Sequence, residues 1–408
     1  MEYRNYNHEK DKEAAHRIWH ECGWLDKGKT DHFDAIAIKA RVIVADIDGE
    51  AECLVTSIPG DMDYLGERLQ FSCVSAVTTS LIARKRGIAA RLTATRIALD
   101  TLDGFIVSGL GIFDQGYYDK LGYGTEAYHN WVCFSPAALN VNIRARVPKR
   151  LTADDYMIVH ECRLNRMRTH GSTNIFLPEH TRADMTKPPG AFGLGYFDRD
   201  GALSHCFWAK GLGSEKGPFM VFWFAYKDYD QFKELLALIQ TFGDQVHLVQ
   251  MIEPPGVFMQ DFISHPFRYR AITDKSDYQN TVRAAAWHQR RICNLEKCLE
   301  KTHLKGNSVA FNLRLHDPIE KYLDDDIEWR GISGDYVVTL GPQSGAEHGN
   351  SDSLPTMEAS VGAFTRVWLG CVPVSTAAVS DRLNAPPELI EALDNAIRVP
   401  RPSPDWEY

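Results

Sequence analysis

From Phe71 to Gly124 the chain reads FSCVSAVTTS-LIARKRG-IAARLTATRIALDTLDG-FIVSGLGIF-DQGYYDKLGYG. Phe71 to Thr79 is apolar and rich in β-branched residues, which reads as a strand. From Gly87 the period changes. Ile88, Leu92, Thr95, Leu99 and Leu102 step by four, three, four and three, one face of a helix that Gly104 stops. Phe105 to Phe113 is a short, almost wholly apolar run, suited to a strand buried on both faces. Between the first strand and the helix stand Arg84, Lys85, Arg86, Gly87, Ile88 and Ala89. A glycine there lets backbone approach a ligand closely. The first N–H groups of a helix are unpaired, so with the helix dipole they favour a phosphate. Three successive cations add attraction. Taken alone, the same loop reads better as a solvated basic turn.

On the N-terminal side, residues 9–22 form a helix with Ala14, Ala15, Ile18 and Trp19 on its apolar side. Arg41–Asp46 and Glu52–Ser57 are strands around an Asp48-Gly49 turn. On the C-terminal side, helices are expected at 154–168, 229–242, 360–369 and 386–397. Strands are expected at 219–226, 246–251, 308–315 and 335–340, with a long polar loop at 341–353. The chain is therefore α/β (α+β), and its length gives a prior of about two to three domains at roughly 150 residues each. Gly190, Gly193 and Gly195 form G-x-x-G-x-G, but a strand follows, so this reads as a turn and not a dinucleotide site. The chain ends PRPSPDWEY, Pro400 to Tyr408. Three prolines before two aromatics suggest an end that docks rather than frays.

Apolar residues make up 44% of the 408 and charged residues 24%, which excludes a disordered chain. A net charge of −9 argues against nucleic acid as partner. The charged N-terminus carries no secretory signal, and the longest apolar run, Phe219 to Tyr226, is too short to span a membrane. Nine scattered cysteines without a C-x-x-C pair fit neither a disulfide framework nor a zinc site, and point to the cytoplasm. No metal is expected. His16 and His20 lack a third ligand, and Asp324-Asp325-Asp326 reads as a charged hairpin turn. Trp24 and Asp26 follow the first helix. They read as a core ring and a helix-end acid, or as an aromatic and a carboxylate holding a cationic amine.

Strand, basic Gly87 loop, helix, strand and then Tyr117-Tyr118-Asp119-Lys120-Leu121-Gly122-Tyr123 together resemble the GNAT superfamily of N-acetyltransferases. In that family an R/Q-x-x-G-x-G/A loop holds the pyrophosphate of acetyl-CoA. Leu81 stands where the family often has proline, and Ala89 replaces the last glycine. The whole layout is similar to the Eis (enhanced intracellular survival) branch. That implies a GNAT domain at 1–140, a degenerate GNAT-like copy at 141–285, and a domain similar to sterol carrier proteins at 286–408. Ala363 to Gly370 and Asp381-Arg382-Leu383 carry the last likeness. The resemblance implies that Arg84 to Ala89 bind acetyl-CoA and that backbone N–H groups near Val77, Thr78 and Thr79 stabilise an oxyanion. It also implies that Tyr118 acts as general acid and the terminal carboxylate of Tyr408 as base. It implies direct transfer to a primary amine through a tetrahedral intermediate, by a homo-oligomer, a hexamer in that branch. A lipid carrier or an inactive GNAT protein are the other readings.

Overall fold

The basic loop and its helix sit in an eight-stranded sheet of the first of two compact units seen in the computed structural model. The structure describes residues 1–25, 30–112, 116–214, 216–264, 266 and 280–408. The first unit comprises Met1–Ala127, His170–Leu177 and Trp287–Tyr408; the second comprises Tyr128–Thr169 and Pro178–Ala286.

The first unit opens with β1 (Glu2–Asn5), α1 (His8–Glu21), α2 (Asp31–Lys39), β2 (Arg41–Ile47), β3 (Glu50–Tyr64) and β4 (Glu67–Thr79). Then follow α3 (Ile88–Leu102), β5 (Val107–Gly111) and β6 (Gly124–Thr125). The sheet order is β1-β2-β3-β4-β5, then the strand His288–Ile292, then β6, while Thr173–Ile175 pairs with β3. β3 runs well past its expected end to a Leu65-Gly66 turn, its distal half paired with Thr173–Ile175 and largely buried, and β4 starts four residues earlier than expected to complete the hairpin.

Alternation along the strands gives the sheet two covered faces. Ile43, Cys53, Val55, Val74 and Leu110 pack with Ile88, Leu92 and Ile97 of α3. Val42, Val44 and Leu54 point the other way and pack with Ala15 and Ile18 of α1 and Phe33 and Ala37 of α2. On the α3 face Asp100 is buried and accepts hydrogen bonds from Ser57 Oγ, Ser72 Oγ and the guanidinium groups of Arg41 and Arg96. Such a fully partnered buried carboxylate fixes the helix on the sheet.

A five-stranded sheet completes the unit. Val309–His316 pairs antiparallel with Gly334–Leu340 and parallel with Thr356–Ser360. The expected loop at 341–353 holds a strand, Gly345–His348, because its backbone completes the ladder on Gly334–Leu340. Asp324 to Asp326 lie in the long connection after the 3-10 turn Pro318–Tyr322, not in a tight hairpin, and Asp324 meets Arg91 at 3.3 Å.

The second unit is a seven-stranded sheet with Tyr229–Gln240 packed against it through Phe232, Leu235, Leu236 and Ile239. The strand His129–Phe134 belongs to this sheet, as does Thr281–Ala285. Gly193 and Gly195 lie inside the strand Ala191–Phe197, with a left-handed turn at Gly190 just before it. A Cβ at Gly193 would run into the Trp208 ring, so that glycine serves packing.

Candidate active site

β4 and β5 are parallel, but they pair only at Phe71↔Val107, Ser72↔Ser108 and Cys73↔Gly109. β4 then continues six residues and β5 two. Beyond Cys73 the two strands have no ladder between them among the described residues. Each stays paired on its other side, β4 to β3 as far as Thr79↔Cys53 and β5 to His288 at Gly111. A bulge in β4 helps re-aim it: the register slips between Leu54 and Thr56, and Ala76 takes a left-handed φ of 52°. The result is a wedge in the sheet, open toward the C-terminal ends of both strands. Thr78 is buried opposite Leu54, Thr79 faces Cys53, and Val77 lies at the bulge, half-buried on the α3 side.

The basic loop leaves β4 at this same end. Arg84, Lys85, Arg86 and Gly87 are exposed, Ala89 is half-buried and Ile88 is anchored in the core. Gly87 caps α3 with φ 77°, and a Cβ placed there would meet nothing within 4 Å. Lys85 is also left-handed, at φ 59°. The loop thus leaves open space before the first turn of a 15-residue helix and flanks it with cations, which suits a phosphate.

Tyr118 and Tyr408 flank β5 from its two faces. Tyr118 is buried in the α3-face cluster with Leu110, Val74 and Ile88, edge-on to Tyr117 and Tyr123. Burial, and then the neighbouring Tyr117, push its phenol well above the usual range. On the other face Gly109 and Gly111 supply no side chains, and Tyr408 occupies the space. A Cβ at Gly109 would lie 2.5 Å from the Phe71 ring and 3.1 Å from the Tyr408 hydroxyl, and one at Gly111 would lie 2.9 Å from the Tyr408 main-chain oxygen. The Tyr408 ring packs on Phe71 and His288 at 5.8 and 5.2 Å. The terminal carboxyl group therefore sits over the last residue of β5, where the wedge is open.

The tail reaches this place by a fixed route within the first unit. Ser403 N–H donates to the His170 carbonyl at 3.0 Å, Asp405 Oδ1 accepts from Thr173 N–H at 3.2 Å, and Trp406 is buried. The sequence pointed to an anchored end but not to its seat. Two glycines in an otherwise apolar strand were the available signal, since they often mark a close approach of another group. Arg290, Glu126 and His288 beneath the tail carry no sequence signal at all.

Trp24 is 44% exposed and edge-on to Trp19, at 5.5 Å, so it is neither a core ring nor closed into a cage. Asp26 lies outside the described residues. His16 pairs with Asp34 at 2.6 Å and His20 meets the Leu25 carbonyl. Among the described residues no cluster of His, Cys, Asp and Glu could hold a metal, and no helix is long and apolar enough to cross a membrane.

No family model matches the chain, and no curated protein matches it in sequence. Solved structures do. A probable N-acyltransferase from Enterococcus faecalis superposes with a TM-score of 0.79 at 15% identity, covering 100% of this chain and 99% of that one. A GCN5-related N-acetyltransferase from Anabaena variabilis gives 0.79 at 12% identity, and Eis1 from Mycobacterium abscessus gives 0.78 at 13%, each over 100% of both chains. At these identities the likeness is one of fold: along its whole length the chain has the mixed α/β architecture of these structures.

Proposed function

We propose that the chain is an N-acetyltransferase that moves the acetyl group of acetyl-CoA to a primary amine. The observation that carries this reading is the alignment of three features at one end of β4 and β5: the wedge, the Gly87 loop with the start of α3, and the seated Tyr408 carboxylate. Arg84 to Ala89 fit a pyrophosphate through exposed cations and first-turn N–H groups. The wedge offers the backbone of Val77 to Thr79 to the thioester. The opposite face, with α1, α2 and Trp24, is then the acceptor side.

Acyl transfer needs three things from the protein. The ammonium must lose a proton before it attacks, and the Tyr408 carboxylate accepts it, directly or through one water. The new C–N bond puts negative charge on the former carbonyl oxygen, and β4 N–H groups in the wedge stabilise it. The C–S bond then breaks as the carbonyl re-forms, the thiolate takes a proton from the Tyr118 hydroxyl, and the nitrogen's second proton, lost as the amide forms, returns through water to the Tyr118 phenolate. No step calls for a metal. The fold likeness to N-acetyltransferases supports this reading, and the nine free thiols suit a reducing cytoplasm.

The three-part division at 140 and 285, the sterol-carrier likeness of 286–408 and a closed homohexamer belong to the same proposal. A light-scattering mass near that of one chain would reject the hexamer. For the last segment an architectural role is favoured over lipid transport. One apolar depression among the described residues, between Tyr64, Leu304, Leu340, Phe364, Val367 and Trp368, has about 210 Å³ including open solvent, below the roughly 300–1,000 Å³ of a small-molecule site. Calorimetry with acetyl-CoA, followed by a panel of polyamines, aminoglycosides and lysine peptides read by free-thiol release, tests the activity. Saturable binding with thiol release on one amine class is expected; absence of acetyl-CoA binding would overturn the reading.

A further inference from the structure

Strand His288–Ile292 is buried along its length although its sequence, HQRRI, is mostly polar. Gln289 is held by Asp119 and Thr125, and Arg291 by Asp317 and the Leu121 carbonyl. Arg290 differs in what it touches. Its Nε lies 2.5 Å from Glu126 Oε1, with both side chains sealed from solvent. Its Nη2 donates to the Gly171 carbonyl at 3.0 Å, and its guanidinium stands over the Phe71 ring, 5.1 Å from the centroid. Gly171 backs the tail, since a Cβ there would lie 2.5 Å from Pro402, and Phe71 backs the Tyr408 ring. The Tyr408 hydroxyl is itself buried and feels the charges of both Arg290 and Glu126.

A buried ion pair is a poor source of stability, because desolvating two charges offsets their attraction and apolar residues pack as well. What a planar guanidinium adds is fixed geometry toward several partners at once. We propose that Arg290, oriented by Glu126, is a positioning residue for the C-terminal tyrosine, holding its ring and tail so that the carboxylate lies over Gly111. This rests on the reading of that carboxylate as the base, and the test separates the two.

Two variants of the full chain with its native end serve: Arg290→Lys, which keeps a charge for Glu126, and the pair Arg290→Met with Glu126→Leu, which leaves no orphan charge. Arg290→Lys keeps the test open where the double variant does not fold. Carboxypeptidase Y release of Tyr408, followed by mass spectrometry, reads the seat directly; kcat and KM for acetyl-CoA read the chemistry. Both variants should bind acetyl-CoA within about twofold of the parent. They should release Tyr408 at least tenfold faster and lose at least tenfold in kcat. A folded variant that releases Tyr408 at the parental rate overturns the positioning role, whatever its kcat. Faster release with parental kcat upholds positioning and removes the carboxylate from the mechanism.

Discussion

Burial sets the protonation state of Tyr118, and with it the fitness of this side chain for its proposed role. Its phenol is desolvated and so holds its proton through the neutral range, which suits a donor. Tyr118→Phe removes only the oxygen. We expect kcat to fall by about 10² to 10⁴, the usual cost of a lost acid. Acetyl-CoA affinity and melting temperature should stay near the parent's. The sign of the shift gives a second readout. The group acts protonated and its pKa is raised, so activity limited by it is lost only above the ordinary phenol range near pH ~10. A parental Tyr118→Phe turnover, measured with the best amine of the panel, would leave this side chain as core packing.

At the scale of one strand, the two glycines of β5 give separable tests of packing and of the proposed base. Gly109→Ala places a methyl against Phe71 as well as Tyr408, so it should destabilise the unit by about 1–3 kcal/mol through overpacking. Gly111→Ala meets a single neighbour within 4 Å, the Tyr408 main-chain oxygen. It should leave melting almost unchanged and cut kcat at least tenfold by moving the carboxylate; parental kcat in a folded Gly111→Ala would detach that oxygen from catalysis. These elements also show what a sequence can reveal. α3 was legible because its apolar residues recur at helical spacing, and β5 because it is apolar throughout. The Gly87 loop was legible from its position between them. The wedge was not, since nothing in Val74 to Thr79 says where pairing with β5 stops. Nor was the strand His288–Ile292. Its arginines are buried only because Glu126, Gly171 and Asp317, far away in the chain, neutralise or accept from them. The roles of Tyr118 and Tyr408 came from a family likeness rather than from spacing.

Across the first unit, the last ten residues behave as a strap, and the proposed role of its end can be tested at this scale. Val399 lies against Gly370, whose left-handed φ of 71° and missing side chain make room for it. Pro402 lies against Gly171, Ser403 and Asp405 are hydrogen-bonded to the segment His170–Thr173, and Trp406 is sealed in. Prolines at 400, 402 and 404 fix the backbone between these contacts, which lowers the entropy lost on docking. Burial of Trp406 and packing of the Tyr408 ring on Phe71 and His288 anchor the strap. Deleting Tyr408 tests the proposed role of the end poorly, because Glu407 then bears a new carboxylate. Extending the chain by a short tag is the cleaner change. It keeps the aromatic ring and every strap contact but turns the carboxylate over Gly111 into a neutral amide and moves the charge away. We expect the tagged protein, verified intact by mass spectrometry, to bind acetyl-CoA like the parent, to melt within a few degrees of it, and to lose at least a hundredfold in kcat. Parental turnover by the intact tagged chain would show that the strap holds the unit together and that the proton leaves the amine by another route.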